Sequence, residues 1–205
     1  MPSTKLTRTI ALLYKLQDAD IRKLEADLLQ ARKAAWESAL RAEAAAHGCN
    51  RAPNAPRRED LDYLKDLAKQ DAKSIAATFN RDVEREIERL FDANHRGNRR
   101  YYYKNLEAWD AKRREWKLPL IAVTNDATTR EYARRRFEKQ NYNGGLRYIF
   151  SGGTAVCKVC ASLFAAGIVD ETYIRRHALP AHPGCPHQWV VVNRPKRTCA
   201  DLWLG

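Results

Sequence analysis

The sequence predicts a mainly α-helical fold, in which a long N-terminal helical hairpin or arm is followed by a small α+β domain in the C-terminal half. Two long segments of the first half carry apolar residues at steps of three and four positions, the period of an amphipathic helix. A proline-containing break separates them. Four of the five cysteines and three of the five histidines lie between Cys157 and Cys199, where they can staple a small domain. The expected division is an arm at residues 1–97 and a C-terminal domain at residues 98–205.

The first helix is expected from about Thr4 to His47, and Gly48 is placed to end it. Its apolar positions form a single stripe. They are Leu6, Ile10, Leu13, Ile21, Leu24, Leu28, Ala31, Ala35 and Ala39. The stripe predicts burial against a neighbouring helix, either in a coiled coil or, because alanine makes a thin seam, in closer packing.

A loop with Pro53 and Pro56 follows, and a second long helix is expected from about Arg58 to Asn94, with Gly97 as its stop. Two long helices joined by a proline-containing turn predict an antiparallel hairpin. Cys49 stands alone in the loop, and the sequence assigns it no role.

A third helix is expected over Arg99–Trp116, and its first turn interleaves arginine with Tyr101–Tyr103. Such side chains can contact phosphates and stack on bases, or the tyrosines can be half-buried anchors. Leu118–Val123 is expected to be a buried strand or an extended connection. The capping-box pair Thr128 and Glu131 is expected to open a fourth helix.

Positive charge is concentrated between His95 and Lys139. This segment holds 13 Lys and Arg residues against 6 Asp and Glu, an excess of 7 in a chain whose net charge is +12. The excess predicts a non-specific contact with nucleic acid or an acidic protein surface, and the alternative is a solvated face. The residues expected to contact nucleic acid are Arg130, Arg134, Arg135, Arg136 and Lys139.

The sequence does not predict a membrane protein. Its longest apolar runs, such as Leu118–Val123, are far shorter than the roughly 20 residues that span a bilayer. The N-terminal residues lack the apolar core of a signal peptide. We therefore expect folding in a reducing cytoplasm, in which cysteine thiolates are free to take a metal.

The cysteines and histidines form two pairs with the spacing of metal ligands. In each pair two residues separate the ligands, and such a turn aims both side chains at one tetrahedral ion, for which zinc is favoured. The candidates are Cys157, Cys160, His182, Cys185 and His187, five residues for four positions. Spacing does not choose between His182 and His187. The alternative is a set of core cysteines or a disulfide, and His177 is expected to stay outside the site.

We expect this site to be structural. A catalytic zinc keeps an open position and needs a nearby acid or base, and the chain has no H-E-x-x-H motif. Asp170 and Glu171 are the only carboxylates between the two ligand pairs, and a charged turn there is usually solvated. The sequence therefore predicts no enzymatic activity and no catalytic residues.

The two ligand pairs and the apolar strand after them resemble the end of the head morphogenesis domain of phage Mu F-like minor capsid proteins. The matching residues are Cys157-x-x-Cys160, His182-Pro-Gly-Cys185-Pro-His187 and Trp189–Val192. Upstream, residues 125–145 and the strand Leu146–Phe150 resemble the segment that leads into the family's cysteines. The resemblance covers about residues 120–193. Pro186 departs from the family, which often has Arg between the last two ligands.

The resemblance implies a structural virion component, a minor capsid or head morphogenesis protein whose partner is the portal or the major capsid protein. It implies assembly in the host cytoplasm and then a place in the virion, at the head or portal vertex. The hairpin would be the docking arm, through a stripe that includes Ile21, Leu24 and Leu28. The alternatives are a phage zinc-containing nuclease or a DNA-binding protein. These would need, respectively, a compact histidine-asparagine set beside the cysteines or a recognisable helix-turn-helix or finger.

Overall fold

A computed structural model describes residues 11, 13–93, 98–142, 144–153, 157–177, 179, 185 and 187–204. The described part is mainly α-helical, with a small three-stranded sheet near the C-terminus, so the predicted fold class is confirmed. In chain order its elements are α1 (Asp18–Ala46), α2 (Arg58–Ala93), α3 (Arg99–Asn141), β1 (Arg147–Ser151), α4 (Lys158–Ala165), β2 (Val169–Asp170), α5 (Glu171–Arg176), β3 (Gln188–Val191) and a 3-10 turn (Cys199–Asp201). No helix of the described part is long and apolar enough to cross a bilayer.

The chain forms two compact units, and each is built from two separate stretches of sequence. The first unit comprises Met1–Leu29 and Lys65–Pro119, and the second comprises Gln30–Leu64 and Leu120–Gly205. These boundaries lie within the long helices and differ from the predicted division at residue 97.

The sequence predicts one unbroken helix from about Thr4, but the structure differs. Thr4 lies outside the described residues, and residues 15–17 are not helical. The Asp20 carboxylate accepts a hydrogen bond from the Gln17 backbone N–H at 2.9 Å, which satisfies one of the free donors at the start of α1. The Asn80 side chain holds the break, because it accepts from the Leu16 N–H at 2.8 Å and donates to the Leu16 carbonyl at 3.3 Å.

The predicted antiparallel hairpin is present in the first unit. Leu28 packs against Ala68 and Ala72, while Leu16 bonds to Asn80, so α1 and α2 run in opposite directions. Ile21 and Leu24 of the predicted docking stripe pack on the same cluster. The small alanines allow close approach of the helices, and the hairpin itself covers much of the stripe.

The first turns of α3 complete the core of the first unit. Tyr102 and Leu106 are fully buried with Val83 and Leu90 of α2. Tyr101 and Tyr103 are partly buried and pack against this cluster. The tyrosines are therefore anchors of the helix pair.

The predicted interruption of the third helix at Leu118–Val123 is wrong. α3 is one helix of 43 residues with Pro119 inside it. Proline removes one N–H donor from the helix. The helix continues past Pro119 because buried side chains anchor it on both sides. The capping box at Thr128 is also wrong, since the Thr128 hydroxyl donates to the Thr124 carbonyl one turn back, at 2.8 Å.

The sheet of the second unit has the antiparallel order β2-β1-β3. Tyr148 lies opposite Val191 and Phe150 opposite Trp189, and all four are buried. Alternate positions therefore face the core. The predicted strands Leu146–Phe150 and Trp189–Val192 are confirmed to within one residue at each end.

The C-terminal segment is tied to the loop between α1 and α2. Cys49, to which no role could be assigned from the sequence, forms a disulfide with Cys199, 150 residues away. The Asn54 N–H donates to the Leu204 carbonyl at 2.8 Å, and the Asn141 side chain bonds both backbone groups of Trp203, at 2.8 and 3.0 Å. Spacing could not have paired Cys49, because its partner is distant in sequence.

Candidate metal centre

Cys157 and Cys160 lie at the start of α4. Cys157 occupies the N-cap position with extended backbone angles, φ −130° and ψ 159°. Its sulfur accepts a hydrogen bond from the Cys160 N–H at 3.3 Å, as cap side chains do at helix starts. Cys160 is fully buried in the first turn of α4. The C-x-x-C turn thus directs the two thiols toward one point.

Cys185 and His187, just before β3, meet this turn. The Cys160 and Cys185 sulfurs are 3.9 Å apart, and Cys185 Sγ is 3.3 Å from His187 Nδ1. All three side chains are buried, and their ligand atoms lie within 4.8 Å of one another. The cluster can therefore bind a metal ion.

The distances suit a tetrahedral ion with thiolate and imidazole ligands. With metal–sulfur bonds of about 2.3 Å, the sulfurs of a tetrahedral site lie about 3.8 Å apart, close to the observed separation. Burial raises the pKa of the Cys160 thiol, and its hydrogen bonds with the thiols of Cys157 and Cys185 raise it further. In the metal-free chain the thiol keeps its proton, and a metal would displace it.

Aromatic rings hold the His187 imidazole in place. The ring stacks on Phe150 at a centroid distance of 4.8 Å and meets the edge of Phe164 at 5.3 Å. His187 Nε2 is buried and has no hydrogen-bond partner within the described residues. An imidazole whose orientation is fixed in this way can coordinate a metal ion.

The structure brings together three of the five predicted ligands: Cys160, Cys185 and His187. Cys157 adjoins them through its bond to Cys160. His182 lies outside the described residues. Of the two histidines that spacing could not separate, His187 is placed in the cluster, because β3 begins directly after it.

The polar groups between the two ligand pairs in sequence have structural roles. The Asp170 carboxylate caps α5 by accepting from the Tyr173 N–H at 2.9 Å, and Glu171 pairs with Arg175 at 3.3 Å. His177 Nδ1 lies 2.9 Å from the Tyr173 carbonyl oxygen, and its ring stacks on Tyr173. No carboxylate belongs to the cluster within the described part of the chain.

Most of the basic residues predicted to contact nucleic acid are paired within the second unit. Arg134 is buried and bonds to Glu131 and Glu138. Arg136 pairs with Glu59 and Asp60, and its Nε lies 2.6 Å from Asp60 Oδ1. These side chains therefore stabilise the fold.

The other three residues predicted to contact nucleic acid are Arg130, Arg135 and Lys139, and two of them form ion pairs. Arg130 pairs with Asp126 at 2.6 Å and Arg135 with Glu131 at 2.8 Å, while Lys139 is exposed. The pairing of Arg130, Arg134 and Arg135 could have been predicted from the sequence. Each has an acidic residue three or four positions away, and residues at that spacing are neighbours on a helix. The Arg136 partners, more than 70 positions away, gave no such signal.

Comparison of the chain with known protein families, with curated proteins and with solved structures gave no match.

Proposed function

We propose that the protein is a non-catalytic structural component of a phage virion, a minor capsid or head morphogenesis protein with a structural zinc site in its second unit. The observation that carries this proposal is the buried cluster of Cys160, Cys185 and His187, with Cys157 beside it. The same residues carry the resemblance to phage head morphogenesis proteins.

Zinc is the metal that this donor set favours. Three thiolates and one imidazole are soft to intermediate ligands, a set common in structural zinc sites and unsuited to magnesium or calcium. Cys157 would be the fourth ligand, because its sulfur already faces the first turn of α4. When bound, zinc would supply a cross-link between α4 and the segment leading into β3.

The surroundings favour a structural role over a catalytic one. Four protein ligands leave no position for a water molecule, and a catalytic site needs one. Asp170 and Glu171, the carboxylates nearest in sequence, bond to α5 and do not belong to the cluster. Phe150 and Phe164 close the histidine side of the site.

The assembly role rests on the resemblance and on the extended helices of the chain. The partners would be the portal protein or the major capsid protein, and the site of action would be the head or portal vertex. Because α2 already covers Leu28, a docking surface would use exposed positions, such as Tyr63 in the second unit.

Two measurements test the proposal. Elemental analysis of purified protein is expected to find stoichiometric zinc, and mass spectrometry is expected to find the chain enriched in purified virions over the infected-cell lysate. A chain that is absent from virions would overturn the assembly role. Metal-dependent DNA cleavage by wild-type protein that disappears in His187→Ala would replace the role with that of a nuclease.

A further inference from the structure

A basic groove lies between α2 and α3 in the first unit. Its volume is about 520 Å³. Five cationic side chains, two acidic ones and two tryptophans line it: Arg85, Arg89, Lys112, Arg113, Lys117, Asp82, Glu86, Trp109 and Trp116. The groove therefore has an excess of positive charge beside two aromatic rings.

The two acidic groups in the groove are already paired. Asp82 accepts hydrogen bonds from Arg113 at 2.6 Å and from Lys117 at 2.5 Å. Burial alone would raise the pKa of Asp82, but these bonds lower it, so the carboxylate is ionised at neutral pH. Glu86 accepts two bonds from Arg89, at 2.9 and 2.6 Å.

Two cations of the groove remain available to a ligand. Arg85 and Lys112 are exposed, and neither forms an ion pair with another described residue. They lie on different helices, Arg85 on α2 and Lys112 on α3, so they can contact a bound chain from both sides.

Arg113 supplies a fixed positive charge beneath them. Only 6% of its surface is exposed, and its guanidinium lies 4.2 Å from the centroid of Phe79 and 5.1 Å from that of Trp109. One nitrogen bonds to Asp82, but Nε and Nη1 are buried and have no hydrogen-bond partner within the described residues. The buried guanidinium therefore adds a fixed positive charge to the floor of the groove.

Trp116 provides a stacking surface at the same groove. The residue is 56% exposed, and Lys117 Nζ lies 5.4 Å from the centroid of its ring. An exposed indole held beside cations is the arrangement with which proteins bind a single strand, because every base has a face that can stack while the backbone meets the charges.

We propose that this groove binds single-stranded nucleic acid without sequence selectivity. Phosphates would contact Arg85 and Lys112, and a base would stack on Trp116. The site is separate from the basic residues between Arg130 and Lys139 and needs none of the metal ligands. An acidic protein segment would meet the charges but would gain nothing specific from the exposed indole.

The charge contribution is tested with matched double variants. Full-length protein is titrated with fluorescein-labelled oligothymidylate of about 16 nucleotides over a range of salt concentrations. Arg85→Gln/Lys112→Gln is expected to weaken binding and to reduce the slope of log K against log salt by about 1.4, because two phosphate contacts are lost. Lys69→Gln/Lys73→Gln, at two exposed positions of α2 that do not line the groove, makes the same charge change and is expected to bind as wild type does. Equal losses in both double variants would overturn the proposal.

The aromatic contribution is tested in a second pair of variants. Trp116→Ala is expected to weaken oligothymidylate binding about tenfold with an unchanged salt slope, while Leu118→Ala, at an exposed apolar position nearby, is expected to have no effect. Duplex DNA and polyglutamate are the competitors. Displacement of the oligonucleotide by polyglutamate at equal charge concentration would assign the groove to acidic proteins, and preference for duplex would remove the stacking role.

Discussion

Arg32 Nη1 donates a hydrogen bond to Thr129 Oγ1 at 2.7 Å, across 97 positions of sequence. The second terminal nitrogen of the guanidinium donates to Asn125 Oδ1, also at 2.7 Å. Arg32 is 1% exposed, so this fork joins α1 to α3 inside the second unit. A fixed guanidinium with two neutral acceptors specifies which faces of the two helices meet.

Arg32→Ala is expected to destabilise the second unit by about 3 kcal/mol, because it leaves a cavity and two buried acceptors without their donor. Urea unfolding followed by circular dichroism measures the change. Lys33→Ala, at the exposed adjacent position, is the control and is expected to cost less than about 0.5 kcal/mol. Equal effects of the two variants would contradict the structural role of Arg32.

Removal of a metal ligand is expected to release zinc and unfold the second unit while the first unit stays helical. Cys185→Ser should lower zinc affinity far more than about tenfold, since it removes a thiolate from the ion itself. His187→Ala is expected to do the same. His177→Ala should retain zinc, because its ring bonds to Tyr173. A chelator competition assay compares the affinities, and zinc loss in His177→Ala would refute this ligand assignment.

The variant His182→Ala tests which of His182 and His187 coordinates the metal. If His187 coordinates, His182→Ala keeps stoichiometric zinc and its thermal stability. The reverse pattern, with zinc lost in His182→Ala and kept in His187→Ala, would mean that the imidazole ligand comes from His182 and not from His187.

Glu138 gives the second unit a pH dependence. Burial raises its pKa from 4.5 to about 7, and this outweighs the lowering effect of Arg134 and of the Tyr148 hydroxyl, which donates to Glu138 at 3.0 Å. The folded chain therefore binds a proton more tightly than the unfolded chain. The contribution of Glu138 to the free energy of unfolding is therefore fully present below pH 4.5 and is lost as the pH rises toward about 7.

Glu138→Gln is expected to flatten that dependence. Glutamine cannot ionise, so the difference in unfolding free energy between variant and wild type should move in favour of the variant as the pH rises from 4.5 to about 7. Urea titrations of both proteins across this range measure the difference. A constant difference over the range would show that Glu138 is ionised throughout.

The disulfide between Cys49 and Cys199 is expected to stabilise the second unit by about 2–5 kcal/mol, since it closes a long loop. Cys49→Ser/Cys199→Ser should lower the free energy of unfolding, measured by urea titration, by this amount. Dithiothreitol should bring wild type down to the level of the variant while the zinc content is unchanged. A variant as stable as the oxidised wild type would mean that the bond contributes no stability.

The helical hairpin and the two longer strands could be predicted because their signals are local and periodic. The stripe of Ile21, Leu24 and Leu28 defines a buried face without knowledge of its partner. Tyr148 and Phe150 alternate with outward positions in the same way. Ligand spacing alone could identify Cys160 and Cys185, which the structure brings together in the buried cluster.

The features that sequence reasoning missed depend on distant contacts. Pro119 and the Thr128–Glu131 pair are local signals that usually mark the end and the start of a helix. Here buried side chains on both sides of Pro119 keep α3 continuous. The Arg136–Asp60 pair joins separate stretches of chain. The groove that contains Trp116 needs two helices side by side, and no single segment reveals it.

The discontinuous second unit has a consequence for synthesis on the ribosome. Trp36 is fully buried and packs at a centroid distance of 5.6 Å from Tyr132, which is translated much later. At about 5–20 residues per second, the indole waits roughly 5 to 20 seconds for its partner. Throughout that interval the nascent chain presents an apolar helix face, which gives a ribosome-associated chaperone a defined time to bind.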